Sequence, residues 1–488
     1  MDDAAGRGDL DVIVAGAGPT GLMLACELAL AGVDVLLADQ IAERRANEER
    51  AGGMHPRTLE VLDQRGLADR FVERGRPMQF GHFSGLWLDF SGFPTRYPYG
   101  LMLWQHQAEL LLEERAAELG VRVRWSSPVT EVRQDDDGVE ALVGGERIRA
   151  SYLVGCDGGR STVRRLAGID FPGTDATLTA MLGDVELVDP PDRMLLFERR
   201  QHGDFTVVEN ENGWYRVATG EHDHVTDRDA PMTFEILRDS MRKIAGTDFG
   251  MHSPRWVSRF NDTARLASRY RDGRVLLAGD AAHIHYPAGG QGMNTGVQDA
   301  VNLGWKLAAV VHGHAPGDLL DTYEAERRPV AERVLHNTRA QTALTRPGPH
   351  VDALRDIMTG LIEQPGVNAS LGGMISGLDI HYPAGDGHPL IGRRVPDLDV
   401  TTESGPTRVY ELLHPGRPVL LDLGAGVSAP GGWVDVVTAR CDAGEWAVPV
   451  LGPVPAVGAM LIRPDGYVAW TDGSAEPPAL TPRRTDRR

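Results

Sequence analysis

Apolar residues between positions 11 and 39 (DVIVAGAGPTGLMLACELALAGVDVLLAD) form a short Val12-Ile13-Val14 run, a glycine-rich turn, a longer Leu/Met/Ala stretch and a second run, Val35-Leu36-Leu37. The short runs predict strands and the longer stretch a helix that Gly32 stops, which makes one strand-helix-strand unit. The stretch from Leu22 is interrupted by Glu27 and ends at Gly32, too short to span a membrane. The order of strand then helix returns late. Residues 275–278 (Val-Leu-Leu-Ala) lead through a glycine-rich loop into a helix whose Val297, Val301, Trp305 and Ala308 share one face. Between about 169 and 272 the pattern changes to short alternating stretches, Phe205-Thr206-Val207-Val208 and Trp214-Tyr215-Arg216-Val217 among them, which predict an antiparallel sheet. From about 390 to 470, fragments such as Arg408-Val409-Tyr410 and Val419-Leu420-Leu421-Asp422 read as strands of a small α/β unit.

A chain of 488 residues exceeds one ordinary core, so two or three packed units are expected. With 50 Lys+Arg against 69 Asp+Glu, its net charge of −19 repels a phosphate backbone and an anionic bilayer, so neither nucleic acid nor membrane is an expected partner. The exception is a basic tail, Arg483, Arg484, Arg487 and Arg488, which follows Pro477, Pro478 and Pro482 and reads as a frayed end. Cys26, Cys156 and Cys441 are too few and too scattered for a disulfide framework or a metal cluster, and they suit a reducing cytoplasm. The acidic start, Met1-Asp2-Asp3, lacks the build of a secretory signal. No residue pattern speaks to oligomeric state.

The candidate chemistry begins in the first unit. Gly16, Gly18 and Gly21 satisfy G-x-G-x-x-G: a tight turn, bare backbone beside a pyrophosphate, and close helix-strand packing, in that order. The helix start at Thr20 to Leu22 offers free N–H groups and the positive dipole end to a phosphate. Asp39 ends the second strand, roughly twenty residues on, where a carboxylate accepts ribose hydroxyls. This motif alone does not separate NAD from FAD.

Two further segments, YLVGCDGGRSTVRRLAG (152–168) and RVLLAGDAAHIHYPAGGQGMNTGVQDAVNLGWKLA (274–308), complete a pattern. Together with the opening unit they resemble the three fingerprints of single-component FAD-dependent aromatic hydroxylases of the para-hydroxybenzoate hydroxylase type, and more narrowly the bacterial aromatic-polyketide hydroxylases. The resemblance implies a Rossmann-like FAD-binding domain (1–170 and 273–389), an antiparallel β-sheet substrate domain (171–272) and a C-terminal thioredoxin-like α/β domain (390–488). Cys441 is the only cysteine in the last of these, so a redox C-x-x-C is impossible and a structural or contact role is expected there. The resemblance places Asp157 near the cleft of flavin and nicotinamide, with Arg164 closing that motif; a plain turn carboxylate is the alternative for Asp157. It assigns Arg50 and Gln105, the latter on a helix over 105–119, to the FAD diphosphate. Asp280, at the end of its strand after Gly279, can accept the ribityl hydroxyls. By the same resemblance Pro287, Gly290, Gln291, Gly292, Met293 and Asn294 are expected to shape the flavin pocket, where the helix N-terminus would stabilise negative charge on the reduced ring. Two departures from the family pattern are Asp39 in place of the usual Glu, and Glu49 in place of the usual Ser before Arg50. The aromatic residues Phe83, Trp87, Phe90, Phe93, Tyr97, Tyr99 and Trp104 are candidates for the substrate cavity, although core packing is their commoner fate.

The implied activity is monooxygenation. NAD(P)H reduces FAD, O₂ forms a flavin hydroperoxide, and a phenolic, polycyclic aromatic polyketide takes one oxygen atom. Baeyer–Villiger oxygenation and inactivating hydroxylation of an antibiotic-like polycycle remain open, and no general base is evident. A halogenase is disfavoured because G-W-x-W-x-I-P is missing, Gly213-Trp214-Tyr215-Arg216 being the nearest phrase. A metal is not expected, since His283 and His285 lie inside the flavin motif and no H-E-x-x-H occurs. A nucleotide-binding scaffold without turnover is the rival from another class.

Overall fold

The structure, a computed structural model, describes residues 10–42, 51–210, 213–222, 224–227, 229–383, 387–427 and 432–473. The first lobe contains β1 (Leu10–Ala15), α1 (Pro19–Leu30), β2 (Val35–Ala38), α2 (Pro56–Asp63), α3 (Gln105–Glu118), β3 (Arg122–Arg124), β4 (Glu146–Gly155) and α4 (Thr162–Leu166). A second region follows with β5 (Leu178–Glu186), β6 (Leu195–Arg200), β7 (Gly203–Glu209), β8 (Trp214–His222), α5 (Phe234–Ala245) and β9 (His252–Asn261). The chain then returns to the first lobe through β10 (Val275–Leu277), α6 (Gln291–Val311) and α7 (Asp321–Thr345). It ends in β11 (Asp399–Thr402), β12 (Gly405–Arg408), β13 (Val419–Asp422), β14 (Asp435–Arg440), β15 (Ala459–Ile462) and β16 (Val468–Thr471).

In the first lobe β10, β4, β1, β2 and β3 pair in that order, all parallel. Val12, Ile13 and Val14 point alternately to opposite faces and are all fully buried, so both faces of this sheet are covered and the strand reads as a continuous apolar run. Helix α6 lies so close to α1 that a Cβ on Gly304 would stand 2.5 Å from the Cβ of Glu27.

The second sheet runs β6-β7-β8-β5-β9, antiparallel throughout. Helix α5 covers one face, its Leu237, Met241 and Ile244 packing with Phe205, Val207 and Val217. The other face turns toward the first lobe: the Arg216 guanidinium lies 4.3 Å from the Trp104 ring, and Phe260 stacks on Tyr286 at 5.7 Å. Of the aromatic residues singled out in the sequence, Phe83, Phe90 and Phe93 are buried in a cluster with Leu344 and Ile375, so they are core. Trp87 is half exposed and meets Phe80 edge-on.

The C-terminal sheet has the order β12-β11-β14-β13-β15-β16, with β13 and β14 parallel and the other pairings antiparallel, a thioredoxin-like arrangement. Arg408-Val409-Tyr410 is not one strand: Arg408 closes β12 and a single helical turn, Val409–Leu412, begins. The turn is fixed by carboxylates, Glu411 accepting the Arg408 N–H at 3.2 Å and Asp397 the Tyr410 N–H at 2.9 Å. Among the described residues no helix is long and apolar enough to cross a membrane.

A buried polar network joins this unit to the first lobe. Arg65 forks onto Glu27 (2.6 and 2.7 Å) and also donates to the carbonyl of Pro464 at 2.8 Å. Glu326 receives Arg463 at 2.7 Å through both of its oxygens, and Lys306 at 2.8 Å. Burial acts to raise the Glu326 pKa, but Arg463 and Lys306 outweigh it and bring it from 4.5 to about 2. A carboxylate with a depressed folded-state pKa stabilises the fold above its unfolded value, and that stabilisation disappears as pH falls from about 4.5 toward 2. The shift corresponds to about 3 kcal/mol. Glu326→Gln is therefore expected to flatten the loss of stability across that acid window, read by denaturant unfolding at stepped pH; equal slopes in both proteins would refute the assignment.

Candidate active site

Three backbone turns meet at the carboxyl ends of β1, β4 and β10. In the first, Gly16 has φ +105°, and a Cβ there would lie 2.3 Å from the Cys156 carbonyl oxygen. A Cβ on Gly21 would lie 1.9 Å from the Gly16 carbonyl oxygen, so the helix can begin there only without a side chain. Gly18 differs: it is the N-cap of α1, its φ is −76°, and a Cβ on it would meet no described atom within 4 Å. Among the described residues nothing calls for a glycine there, as expected where a ligand approaches. No side chain caps α1, so its N-terminal donors and dipole face the same space. Asp39 reaches into this turn, its Oδ2 accepting the Ala17 N–H at 2.6 Å and its Oδ1 the Ile41 N–H at 2.9 Å.

The second turn packs on the first through Cys156 and Asp157. The Asp157 carboxylate caps α4: Oδ1 accepts Ser161 Oγ–H at 2.5 Å, and Oδ2 accepts the N–H groups of Thr162 (2.7 Å) and Val163 (3.0 Å). This is the turn-carboxylate geometry. Arg164 carries the connection onward, donating to the carbonyls of Gly159 (2.9 Å) and Ala281 (2.8 Å) with its guanidinium 3.7 Å from the Phe171 ring.

The third turn rests on Thr20. A Cβ on Gly279 (φ +60°) would lie 2.5 Å from Thr20 Oγ1, and one on Gly296 of α6 would lie 2.3 Å from it. The Thr20 side chain thus fills the joint between α1, the Gly279 turn and α6. Asp280 is exposed beyond it. Beneath lies a fully buried triad: Asp299 Oδ2 accepts the Gly279 N–H at 3.2 Å and sits 2.7 Å from His283 Nε2, while Oδ1 takes Arg327 Nε at 2.7 Å. Burial works against the charged carboxylate, but Arg327 and His283 keep its pKa below the usual range.

The loop from Pro287 to Asn294 bends through Gly289 (φ +70°) and Gly290 (φ +65°) before α6 starts at Gln291. Pro287 and Gly290 are exposed and Gly292 and Met293 partly so, whereas Gln291 and Asn294 are buried and hold the loop. Asn294 accepts the His55 N–H at 2.7 Å and donates to Gly53 and Gly290 carbonyls at 3.1 and 2.8 Å, while Gln291 receives Asn337 at 3.3 Å. His55 Nε2 lies 2.8 Å from the Gly289 carbonyl oxygen. Burial brings the His55 pKa down to about 4, so the neutral ring donates there at ordinary pH. Gln105 opens α3, next to Trp104, and donates to Glu109 at 2.9 Å. Arg50 and Glu49 lie outside the described residues.

Sequence reasoning passed over His55, Gly296, Asp299, Arg327 and Asn337. One signal was available: Asn294, Gln298, Asp299, Asn302 and Lys306 recur along an otherwise apolar helix, and all are buried. Polar residues so placed must have partners within the protein.

The residues suit FAD. They provide a glycine cradle with open space at Gly18, an uncapped helix start, the Asp39 carboxylate in the first turn, an exposed Asp280 past the third and a second uncapped helix start at α6. Comparison with known proteins agrees. A family described as FAD binding domain matches residues 9–338, and one described as aromatic-ring hydroxylase, C-terminal, matches residues 388–486. The chain is 47% identical over 480 residues to the 12-dehydrotetracycline 5-monooxygenase/anhydrotetracycline 6-monooxygenase of Streptomyces rimosus, covering 94% of this chain and 95% of that one. It is 46% identical to the rifampicin monooxygenase of Streptomyces venezuelae, with 94% and 95% covered. The solved structure of the Diels-Alderase PyrE3 of pyrroindomycin biosynthesis superposes with a TM-score of 0.85 at 40% identity, covering 96% of this chain and 98% of that one. This chain belongs to the FAD-dependent aromatic-ring hydroxylases, a family of flavin monooxygenases.

Proposed function

We propose that the protein hydroxylates a polycyclic phenol of the aromatic-polyketide type, with NAD(P)H as the reductant and O₂ as the oxygen source. The observation that carries this is the meeting of three turns, the second packed on Gly16 through Cys156 and the third on Thr20, with Gly18 left bare, combined with an adjacent sheet face that bears Arg216, Trp256, Phe260 and His222. When bound, FAD supplies the capacity to accept a hydride and activate O₂. The protein's part is to hold and orient. The Gly16–Gly21 turn and the α1 N-terminus would bind the pyrophosphate, Asp39 and Asp280 the ribose and ribityl hydroxyls, and the α6 N-terminus the electron-rich end of the ring. Loop rigidity from Asn294 and neutral His55 keeps that end fixed without adding a charge. The sheet of residues 171–272 forms the floor that excludes water.

A second reading, ring closure without net redox, is favoured by the whole-chain likeness to a Diels-Alderase. A third keeps the oxygen chemistry but yields an ester by Baeyer–Villiger insertion, or inactivates an antibiotic-like polycycle. Incubation of the purified enzyme with polycyclic phenols, NAD(P)H and ¹⁸O₂ separates them. Substrate-stimulated NAD(P)H oxidation with one ¹⁸O in a new ring hydroxyl is the expected result. Product formed without NAD(P)H consumption refutes the proposal, and ¹⁸O in an ester replaces it with the third reading.

A further inference from the structure

Helix α2 has eight residues, too few to persist as a helix without tertiary support, and every one of them is buried. Arg57, Glu60 and Asp63 on it, and Gln64 and Arg65 just past it, are buried polar residues that need partners within the protein. Most of those partners belong to the C-terminal unit. Arg57 donates to the Asp465 carbonyl at 2.9 Å, Arg394 reaches Glu60 at 3.1 Å, and Arg408 forks onto Asp63 at 2.9 and 3.1 Å. Gln64 lies against Gly466, where a Cβ would stand 2.4 Å from its side chain, and Arg65 donates to the Leu413 and Pro464 carbonyls. The first lobe adds Thr95, which donates to Glu60 at 2.6 Å, and Glu27, which receives Arg65. The N-cap of this helix is His55, whose ring meets the Gly289 carbonyl and whose N–H meets Asn294. Helix α2 is thus a short strut, with the Gly289 loop at one end and the C-terminal unit along its side.

A second line of contact converges on the same glycine. Val450, in the turn between the strands Glu445–Val448 and Gly452–Pro455, has φ +67°, a strained conformation for a β-branched residue that persists only where the surroundings hold it. It lies against Gly373 of the helix Pro365–Ser376, where a Cβ would stand 2.3 Å from Val450 Cγ2. Two residues on, Ile375 closes against the loop: a Cβ on Gly289 would lie 3.3 Å from Ile375 Cδ1. Gly289 is therefore held at its carbonyl through α2 and at its α-carbon through Ile375, and the C-terminal unit backs both.

We propose that the C-terminal unit is a positioning element of the flavin site, and that Arg394 and Val450 are the residues through which it fixes the loop at Gly289. This rests on the reading above, in which the loop from Pro287 to Asn294 meets the flavin. Arg394, by pairing with Glu60, holds α2 in place and so keeps His55 on the Gly289 carbonyl. Helix α6 starts at Gln291, directly after the loop's two glycines, and its N–H groups and dipole favour the extra negative charge of reduced over oxidised flavin. A loop that drifts loses its hold on the reduced form first. The C-terminal unit, which touches none of the three turns through these two residues, thereby bears on the reduction potential of the flavin.

The test is the two-electron midpoint potential of the FAD-loaded, full-length protein, measured without substrate or NAD(P)H against a dye of known potential. In Arg394→Met the affinity for reduced relative to oxidised FAD is expected to fall about tenfold, which lowers the potential by about 30 mV. Glu60 keeps Arg57 at 3.1 Å as its counter-charge, and Arg394→Lys, which can still pair with Glu60, is expected to lie nearer to wild type. Val450→Gly accepts the turn without strain but withdraws the side chain from Gly373, so its potential is expected to shift the same way. Val434→Ala is the control. It is buried with Leu420, Leu461 and Trp470 on the face of the C-terminal sheet opposite Tyr410, so it should lower the unfolding midpoint and leave the potential unchanged. A wild-type potential in Arg394→Met overturns the inference, as does an equal shift in Val434→Ala. If Arg394→Met does not fold, Val450→Gly decides on the same terms. His55→Gln separates this inference from the reading beneath it: a shift there with none in Arg394→Met sinks only the inference, whereas a wild-type potential in His55→Gln removes the flavin from the loop and the inference with it.

Discussion

Gly18→Val is expected to yield a folded protein that does not retain FAD. The glycine has φ −76°, which any residue adopts, and no described atom lies within 4 Å of its added Cβ. Valine is a poorer N-cap than glycine, so the protein loses about 1 kcal/mol or less. The whole penalty falls on whatever must approach the bare backbone. Keeping a pyrophosphate from contact with the helix N-terminus removes its charge-assisted hydrogen bonds, and a loss of about 3 kcal/mol corresponds to a roughly hundredfold weaker Kd. Gly21→Ala behaves differently: its Cβ would stand 1.9 Å from a backbone oxygen, so the fold itself suffers, by several kcal/mol. Thermal unfolding and the visible absorbance of the reconstituted proteins distinguish the two. Full FAD retention in Gly18→Val would remove the cofactor from this turn.

Asp299→Ala carries the largest expected effect on stability, about 3–5 kcal/mol. Arg327 is fully buried, and its Nε relies on Asp299; among the described residues its Nη1 and Nη2 reach Tyr382 Oη at 3.0 Å and the Thr295 carbonyl at 3.2 Å. Losing the carboxylate leaves a buried guanidinium without its counter-charge and releases the Gly279 N–H and His283, which support the turn presenting Asp280. FAD affinity should therefore fall along with the unfolding midpoint. Asp299→Asn keeps the volume and one acceptor but not the charge, so its loss should be intermediate. A variant as stable as wild type would mean that the triad does not hold the third turn.

Legibility from sequence followed the range of the physical constraint. Gly16, Gly18 and Gly21 answer to one another within six positions, so the turn and the helix start could be read directly, as could the buried strand ahead of Asp280 and the helix carrying Val297 to Ala308, whose start at Gln291 came only with the structure. Asp157 was readable as near the site but ambiguous in role, because a cap carboxylate and a ligand carboxylate look alike in sequence; the bonds to Ser161, Thr162 and Val163 show the cap. Arg408-Val409-Tyr410 read as strand because its local composition suits one. Contacts from Asp397 and Glu411 turn it into a helix start. The aromatic residues Phe83, Phe90 and Phe93 could not be assigned from sequence to core or cavity, since both environments select the same side chains.

What the chain determined by itself is the set of local geometries: strand, bare turn, uncapped helix and the carboxylates beside them, each dictated by steric and hydrogen-bonding demands a few residues long. What only the tertiary structure decided is their convergence. Thr20 seats Gly279 and Gly296, Asn294 meets His55 across 239 positions, and Asp204 reaches His222 through the pairing of two strands. Such contacts depend on sheet register and on how closely helices approach, which are set by the packing of the whole core and leave no local pattern in the sequence.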